Sequence, residues 1–308
     1  MLGTARGVLH FLLDRTPGGL PVVQPRPRGK TPYVRDGRAL VSMVRCGDNL
    51  TGSVGECVDL LGGLERVISR GDRVLVKPNY NSSDLYPGST DVAFLKAVVS
   101  LLLEAGAKVT VGESSGGIWR PTRRVLYRTG VLNALAGMPV EVVVFEDRRR
   151  DWVKVRTGGE YLSHVTVPRT VYEADQLVYL PCMKTHKYAR FSLSLKLSVG
   201  IMHPGERRSL HVSNLEQKVA EINLVRQPDL IIMDGRKAFI SGGPEKGEVV
   251  DPGIIMASGD MVAIDVEALR VLGSYGGKNR LLSNPYDSPQ IAVALRHGLG
   301  LGEYDVVR

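Results

Sequence analysis

Cysteine is scarce in this chain. Its three residues, Cys46, Cys57 and Cys182, stand far apart among 308, and an odd, scattered set supplies no disulfide framework. No C-x-x-C occurs, so this chain alone is expected to hold neither an iron–sulfur cluster nor a structural zinc. Long apolar runs are missing too. None approaches the ~20 residues needed to span a bilayer, and Arg6 and His10 interrupt the opening MLGTARGVLHFLLDR, which argues against a signal peptide. A cytoplasmic location without a membrane partner is the default expectation. Asn and Gln are sparse while Arg is abundant, a composition that fits a thermophilic, archaeal source. Blocks of like charge are also absent, since Arg148, Arg149 and Arg150 are flanked by Asp147 and Asp151.

What is present is ordinary in bulk: 43% hydrophobic and 23% charged residues, the balance of a globular protein with a substantial core. The net charge of +8, from 40 Lys and Arg against 32 Asp and Glu, suits an anionic partner. A small anionic ligand is the expected one. Nucleic acid is the second reading, because no aromatic-basic recognition motif accompanies the charge. Residues 1–40 are rich in Pro, Gly and Arg and read as an extended arm or surface strap, which could serve a homo-oligomer contact. Residues 41–308 form the α/β domain.

Within that domain, apolar runs predict strands at 39–45, 73–77, 108–112, 140–145, 176–180, 229–233 and 253–257, and alternation predicts a β-hairpin at 152–167. Helical spacing predicts helices over 53–69, from a cap at Ser89 or Thr90 to Gly106, over 121–136 with a break at Gly130, over 260–272, and from Ser288 onward. A capping box at Ser213-Asn214-Leu215-Glu216 predicts a further helix ended by Pro228. Asp234 and Gly235 are placed at the end of the 229–233 strand. Alternating strands and helices predict a mostly parallel sheet built from βαβ units, in two lobes with a cleft between them dividing near 210–230.

Residues 181–211 are the densest polar stretch, with Lys184, His186, Lys187, Lys196, His203 and His211 following a predicted buried strand. Ligands of open α/β sheets bind at the carboxyl ends of strands. Lysine there can act as a base, form an imine or hold an anion, and neutral histidine can move a proton or bind a metal. A solvated basic face is the alternative. Asn79 and Asn81 follow one predicted strand and Ser114 and Ser115 another, and Glu113-Ser-Ser-Gly-Gly117 could offer N–H groups to an anion.

Several segments resemble the Domain of Unknown Function 362 family: Gly71-Asp-Arg-Val-Leu-Val-Lys-Pro-Asn79, Val-Thr-Val-Gly-Glu-Ser114, Leu-Pro-Cys-Met-Lys-Thr-His186, Met233-Asp-Gly and Ala257-Ser-Gly-Asp-Met-Val-Ala-Ile-Asp265. Members of that family often carry a ferredoxin-like segment with clustered cysteines, which this chain lacks. More distantly, Lys184-Thr-His-Lys-Tyr-Ala-Arg-Phe-Ser-Leu-Ser-Leu-Lys196 is similar to the nickel-pincer lactate racemase family. That similarity implies His186 as acid/base, Lys196 as tether of a pincer-type nucleotide cofactor and His211 as nickel ligand. The racemases' Asp-x-Thr-Arg motif reads Pro78-Asn-Tyr-Asn81 here, which argues against two-base racemisation of lactate. The expectation is an enzyme with a cleft lined by Lys184, His186 and Lys196, with Asn79, Asn81, Ser114 and Ser115 toward a cofactor. The alternative is a non-catalytic binding or scaffold protein using a basic surface.

Overall fold

The computed structural model describes residues 16–26, 29–115, 120–148 and 151–308, without the side chain of Arg208. The first part of the expected arm, and Gly116 and Gly117 of the expected anion turn, lie outside the described residues. Val22–Val23 (β1) straps onto a later hairpin, and Arg26 ties the strap down through its guanidinium to the Tyr172 and Ala174 carbonyls. Val34–Arg35 (β2) and Arg38–Arg45 (β3) then form a hairpin.

Leu50–Asp59 (α1) is shorter than its apolar spacing predicts. Its cap is Asn49, whose side chain accepts from the Gly52 N–H. Beyond it Gly62 and Gly63 adopt φ of +104° and +94°, a region open to glycine but costly for other residues, so the apolar positions after Leu61 are reached through a turn. Arg73–Lys77 (β4), Val92–Glu104 (α2) and Lys108–Glu113 (β5) make a parallel βαβ unit. The cap of α2 is Asp91, accepting from the Phe94 N–H, rather than Ser89 or Thr90. The Ser89 hydroxyl donates to the Ser82 carbonyl in the preceding loop, and the Thr90 hydroxyl donates to the carbonyl of Leu180. Thr122–Arg128 (α3) and Val131–Ala134 (α4) flank Gly130, and Val140–Val144 (β6) extends the parallel run. Trp152–Arg156 (β7) and His164–Pro168 (β8) are the expected hairpin, followed by Arg169–Glu173 (α5).

Gln176–Tyr179 (β9) does not end the sheet's use of this segment. After Pro181 the chain re-enters as Cys182–His186 (β10), then turns back as Arg190–Ser192 (β11). Ser194–Leu197 (α6), Pro204–Leu210 (α7) and Leu215–Ile222 (α8) follow. The capping box does not form: Asn214 takes left-handed backbone with φ 51°, and Glu216 pairs instead with Arg190 at 3.0 Å. The helix stops at Ile222, well before Pro228. Leu230–Phe239 (β12) is twice the length expected, so Asp234 sits in mid-strand. Val249–Val250 (β13), Ile254–Ser258 (β14), Met261–Ser274 (α9), Pro289–Arg296 (α10) and an unforeseen Tyr304–Val307 (β15) complete the chain.

The main sheet runs β15-β3-β14-β12-β9-β4-β5-β6. It is mostly parallel, except that β14 is antiparallel to both β3 and β12. Residues on both sides of 210–230 supply strands to this one sheet, so the expected dividing line between two lobes crosses a continuous layer. Strand alternation sends Val74 and Val76 to one face with α1 to α4, and Leu75 to the other with the small β1-β7-β8 sheet and the later helices. Both faces are therefore apolar and covered, as parallel strands require.

Packing across β5 is close at Gly112, where an added Cβ would meet Phe145 Cε1 at 2.5 Å and Leu75 Cδ1 at 3.0 Å. Gly112→Ala should lower stability by about 1–3 kcal/mol through overpacking, read as a lower urea midpoint at unchanged slope. An unchanged midpoint would mean that this layer yields without cost.

Candidate functional site

Beyond residue 180 the chain docks along the far half of β12, and that docking builds the site. Cys182 pairs with Asp234, while Met183 and Lys184 pair with Ala238 and Phe239, so β12 bulges between the two registers. Lys184, thus fixed, donates to the Gly88 carbonyl at 2.5 Å and the Pro244 carbonyl at 3.1 Å. It clamps two loops to the strand end, and burial pulls its pKa down. Two of its three protons are taken by the protein, so Lys184 holds the site together more than it reaches outward.

His186 is buried at 5% exposure, and its Nδ1 accepts from the Tyr188 and Ala189 N–H groups, both at 3.1 Å. The turn that aims those N–H groups is itself held: Gln290 Nε2 donates to the Ala189 carbonyl at 2.6 Å and Arg280 to the Lys187 carbonyl. An acceptor at Nδ1 puts the ring proton on Nε2, which has no hydrogen-bond partner among the described residues. Burial, then Lys196, Lys184, His211 and Lys187, drive the His186 pKa down to about 2. His186 thus presents a neutral ring whose N–H is at Nε2.

Lys196 lies on α6, a single turn held from below by Asp265, whose carboxyl accepts from the Ser194 and Leu195 N–H groups at 2.8 and 3.0 Å. Burial pushes that carboxyl up to about 7 against those same hydrogen bonds. Lys196 itself is partly exposed, and no hydrogen bond ties its ammonium among the described residues. Burial and the Lys184 charge bring it down to about 8. His211 is exposed at the end of α7, its ring edge-on to Tyr188 at 6.4 Å, and burial with Lys196 lowers its pKa. Lys184, His186, Lys196 and His211 therefore feel one another's charge, and no carboxylate figures among the groups acting on His186, Lys196 or His211.

The remaining predicted residues sit elsewhere. The Ser114 hydroxyl donates to Glu146 at 2.7 Å and accepts from Arg207 at 2.5 Å, and the Ser115 hydroxyl donates to the Tyr80 carbonyl at 2.6 Å. Both hydroxyls are engaged within the protein itself. Asn79 lies beside Cys182, and Asn81 is exposed. Cys182 is fully buried, and burial pushes its thiol up, as befits a structural cysteine.

A second buried network was not foreseen in the sequence. Lys77 and Glu113, at 1% and 2% exposure, pair at 2.5 Å, and Glu113 also accepts from the Tyr80 and Ser114 N–H groups. Arg207 staples α7 to this strand end through the Ser114 and Ser115 carbonyls. Lysine closing one apolar strand and glutamate closing the next was the available signal. Asp265 was visible only as the last residue of a matched motif.

The imidazole implied as a nickel ligand, His211, is exposed beside Tyr188 and Lys196. Among the described residues no three His, Cys, Asp or Glu side chains stand together as a metal site. The charged neighbours are lysines, which repel a dication and attract an anion.

Fold and side-chain placement thus define an α/β protein with a cluster of basic side chains beyond the end of a sheet strand. The chain belongs to the family described as Domain of unknown function (DUF362), which residues 74–270 match. It is 27% identical over 227 residues to the thylakoid-associated protein sll1697 of Synechocystis sp., covering 70% of this chain and 68% of that one. Among solved structures it is similar to the lactate racemase apoprotein from Thermoanaerobacterium thermosaccharolyticum, with a TM-score of 0.35 and 11% identity. That match covers 80% of this chain and 60% of the racemase, and at this level it transfers no residue roles. No described helix is long and apolar enough to cross a membrane.

The Lys77–Glu113 pair yields a direct test. Lys77→Met leaves a buried carboxylate unpaired and should cost about 3–5 kcal/mol. Lys77→Met with Glu113→Gln should cost clearly less than the two single changes summed, in urea unfolding. Strict additivity would show that the pair is not coupled.

Proposed function

We propose that the chain is an enzyme acting on a small anionic substrate, a carboxylate or a comparable oxyanion, held by Lys196, His186 and His211 with Lys184 behind them. The observation that carries this reading is the gathering of these cations and imidazoles with no carboxylate acting on His186, Lys196 or His211. An uncompensated cluster costs the empty protein energy that an anion restores. His186 would donate its Nε2–H to the anion, and His211 would stand at the exposed rim. Lys196 is the group suited to proton transfer. With a pKa of about 8 and no hydrogen bond to another described residue, its amine can exist in both forms near neutrality.

The sign of the pH dependence follows from that value. An anion prefers the ammonium form, so binding raises the Lys196 pKa and takes up protons. Affinity is then full below about 8 and declines as pH rises through it. His186, neutral throughout, contributes no step near pH 6.

Calorimetric titration with sulfate and with lactate tests this. Affinity should fall between about pH 7 and about pH 10, and Lys196→Met should weaken binding at pH 7 by about tenfold or more and flatten the profile. His186→Ala should weaken binding at every pH. Unchanged affinity in both variants would remove the assignment.

A further inference from the structure

Outside the Lys196 cluster, a cavity of about 200 Å³ opens between the 82–84 loop and the start of α3. Its lining includes Ser82, Ser83, Asp84, Arg120, Arg124 and Arg128 over an apolar floor at Val125. The arginines recur every fourth residue, which brings Arg124 and Arg128 to one face of α3. Like charges at that spacing repel, so the array is mildly unfavourable when empty.

Their partners decide what the cavity can take. Arg120 pairs with Glu245 at 2.6 Å across the rim. Arg124 and Arg128 are exposed, with no hydrogen bond or ion pair among the described residues. Asp84 already accepts from the Ser82 hydroxyl. Three guanidinium groups thus face one lining carboxylate and one at the rim, which leaves a positive balance. Planar guanidinium forks with a nearby hydroxyl, Ser83, match the tetrahedral oxygens of phosphate.

We propose that this cavity is a second anion site, specific for a phosphate group, either free or carried on an organic molecule. It is distinct from the Lys196 site and does not depend on the reading given to that site. The two nevertheless adjoin, because Asp84 and Glu245 are the acidic groups acting on Lys184. The 82–88 loop lies between them, with its Gly88 carbonyl bound to Lys184.

Phenylglyoxal labelling of the full chain, quantified at each arginine by peptide mass spectrometry, tests the proposal locally. Inorganic phosphate or adenosine monophosphate should slow labelling at Arg124 and Arg128 at least about threefold, while exposed Arg35 is unaffected. Protection should persist in Lys196→Met, which separates this site from the other. Stronger protection by the nucleotide assigns an organic phosphate, and equal protection assigns phosphate itself. The double variant Arg124→Gln, Arg128→Gln removes only exposed side chains, so its unfolding midpoint should hold. Its binding of phosphate, measured in the Lys196→Met background, should weaken by about tenfold or more. No protection at Arg124 and Arg128, or unaltered phosphate binding in the double variant, overturns the proposal.

Discussion

The site hangs on the backbone pairing along Leu230–Phe239. One half of that strand holds Gln176–Tyr179 and the other holds Cys182–His186, with a bulge between the two registers. The chain therefore passes from the apolar layer into the polar cluster without leaving the sheet. Lysine and histidine are carried to the strand end on rigid backbone, where side chains are placed more accurately than on a loop. Asp234 within the bulge is itself braced by Tyr86 and Arg236, at 2.6 and 2.8 Å. That bracing ties the 80–90 loop to the same strand.

Around this frame charge is sorted in two ways. At Lys77–Glu113, Arg226–Asp229 and Asp234–Arg236 buried or half-buried charges are paired, the usual condition for tolerating them. At Lys184, His186, Lys196 and His211 they are not. Depressed basic pKa values there share one cause, burial, reinforced at His186, Lys196 and His211 by neighbouring cations, and perturbed groups of this kind collect at functional sites. The pairing elsewhere in the fold is what makes its absence here informative.

Much of the architecture was legible because it rests on local pattern. Strands such as Arg73–Lys77 and Lys108–Glu113 are marked by unbroken apolar runs, and the Gly130 break by a residue suited to positive φ. What escaped depended on distant partners. Whether Asp234 ends a strand or lies within one is decided by Cys182 and Ile255 across the sheet. The Ser213–Glu216 box fails because Glu216 is claimed by Arg190. Lys184, His186, Lys196 and His211, grouped by their nearness in sequence, lie within electrostatic reach in the fold, His186 feeling the other three and Lys196 feeling Lys184. Sequence could not show that the Ser114 and Ser115 hydroxyls are taken by Arg207, Glu146 and Tyr80, nor that two backbone N–H groups fix the tautomer of His186. Family membership fits this division, since the matched residues 74–270 hold most strands of the main sheet, though not β3 or β15, while naming no reaction.

The account turns on Lys196 carrying an unbalanced charge close to its titration point. NMR titration of the protein with ¹⁵N-labelled lysine side chains measures this directly, with the Lys196 signal assigned by its loss in Lys196→Met. A single transition near 8, moving upward when sulfate is added, is the predicted result. A transition near the ordinary lysine value of about 10.4, indifferent to sulfate, would contradict the claim that this cluster is built to receive an anion.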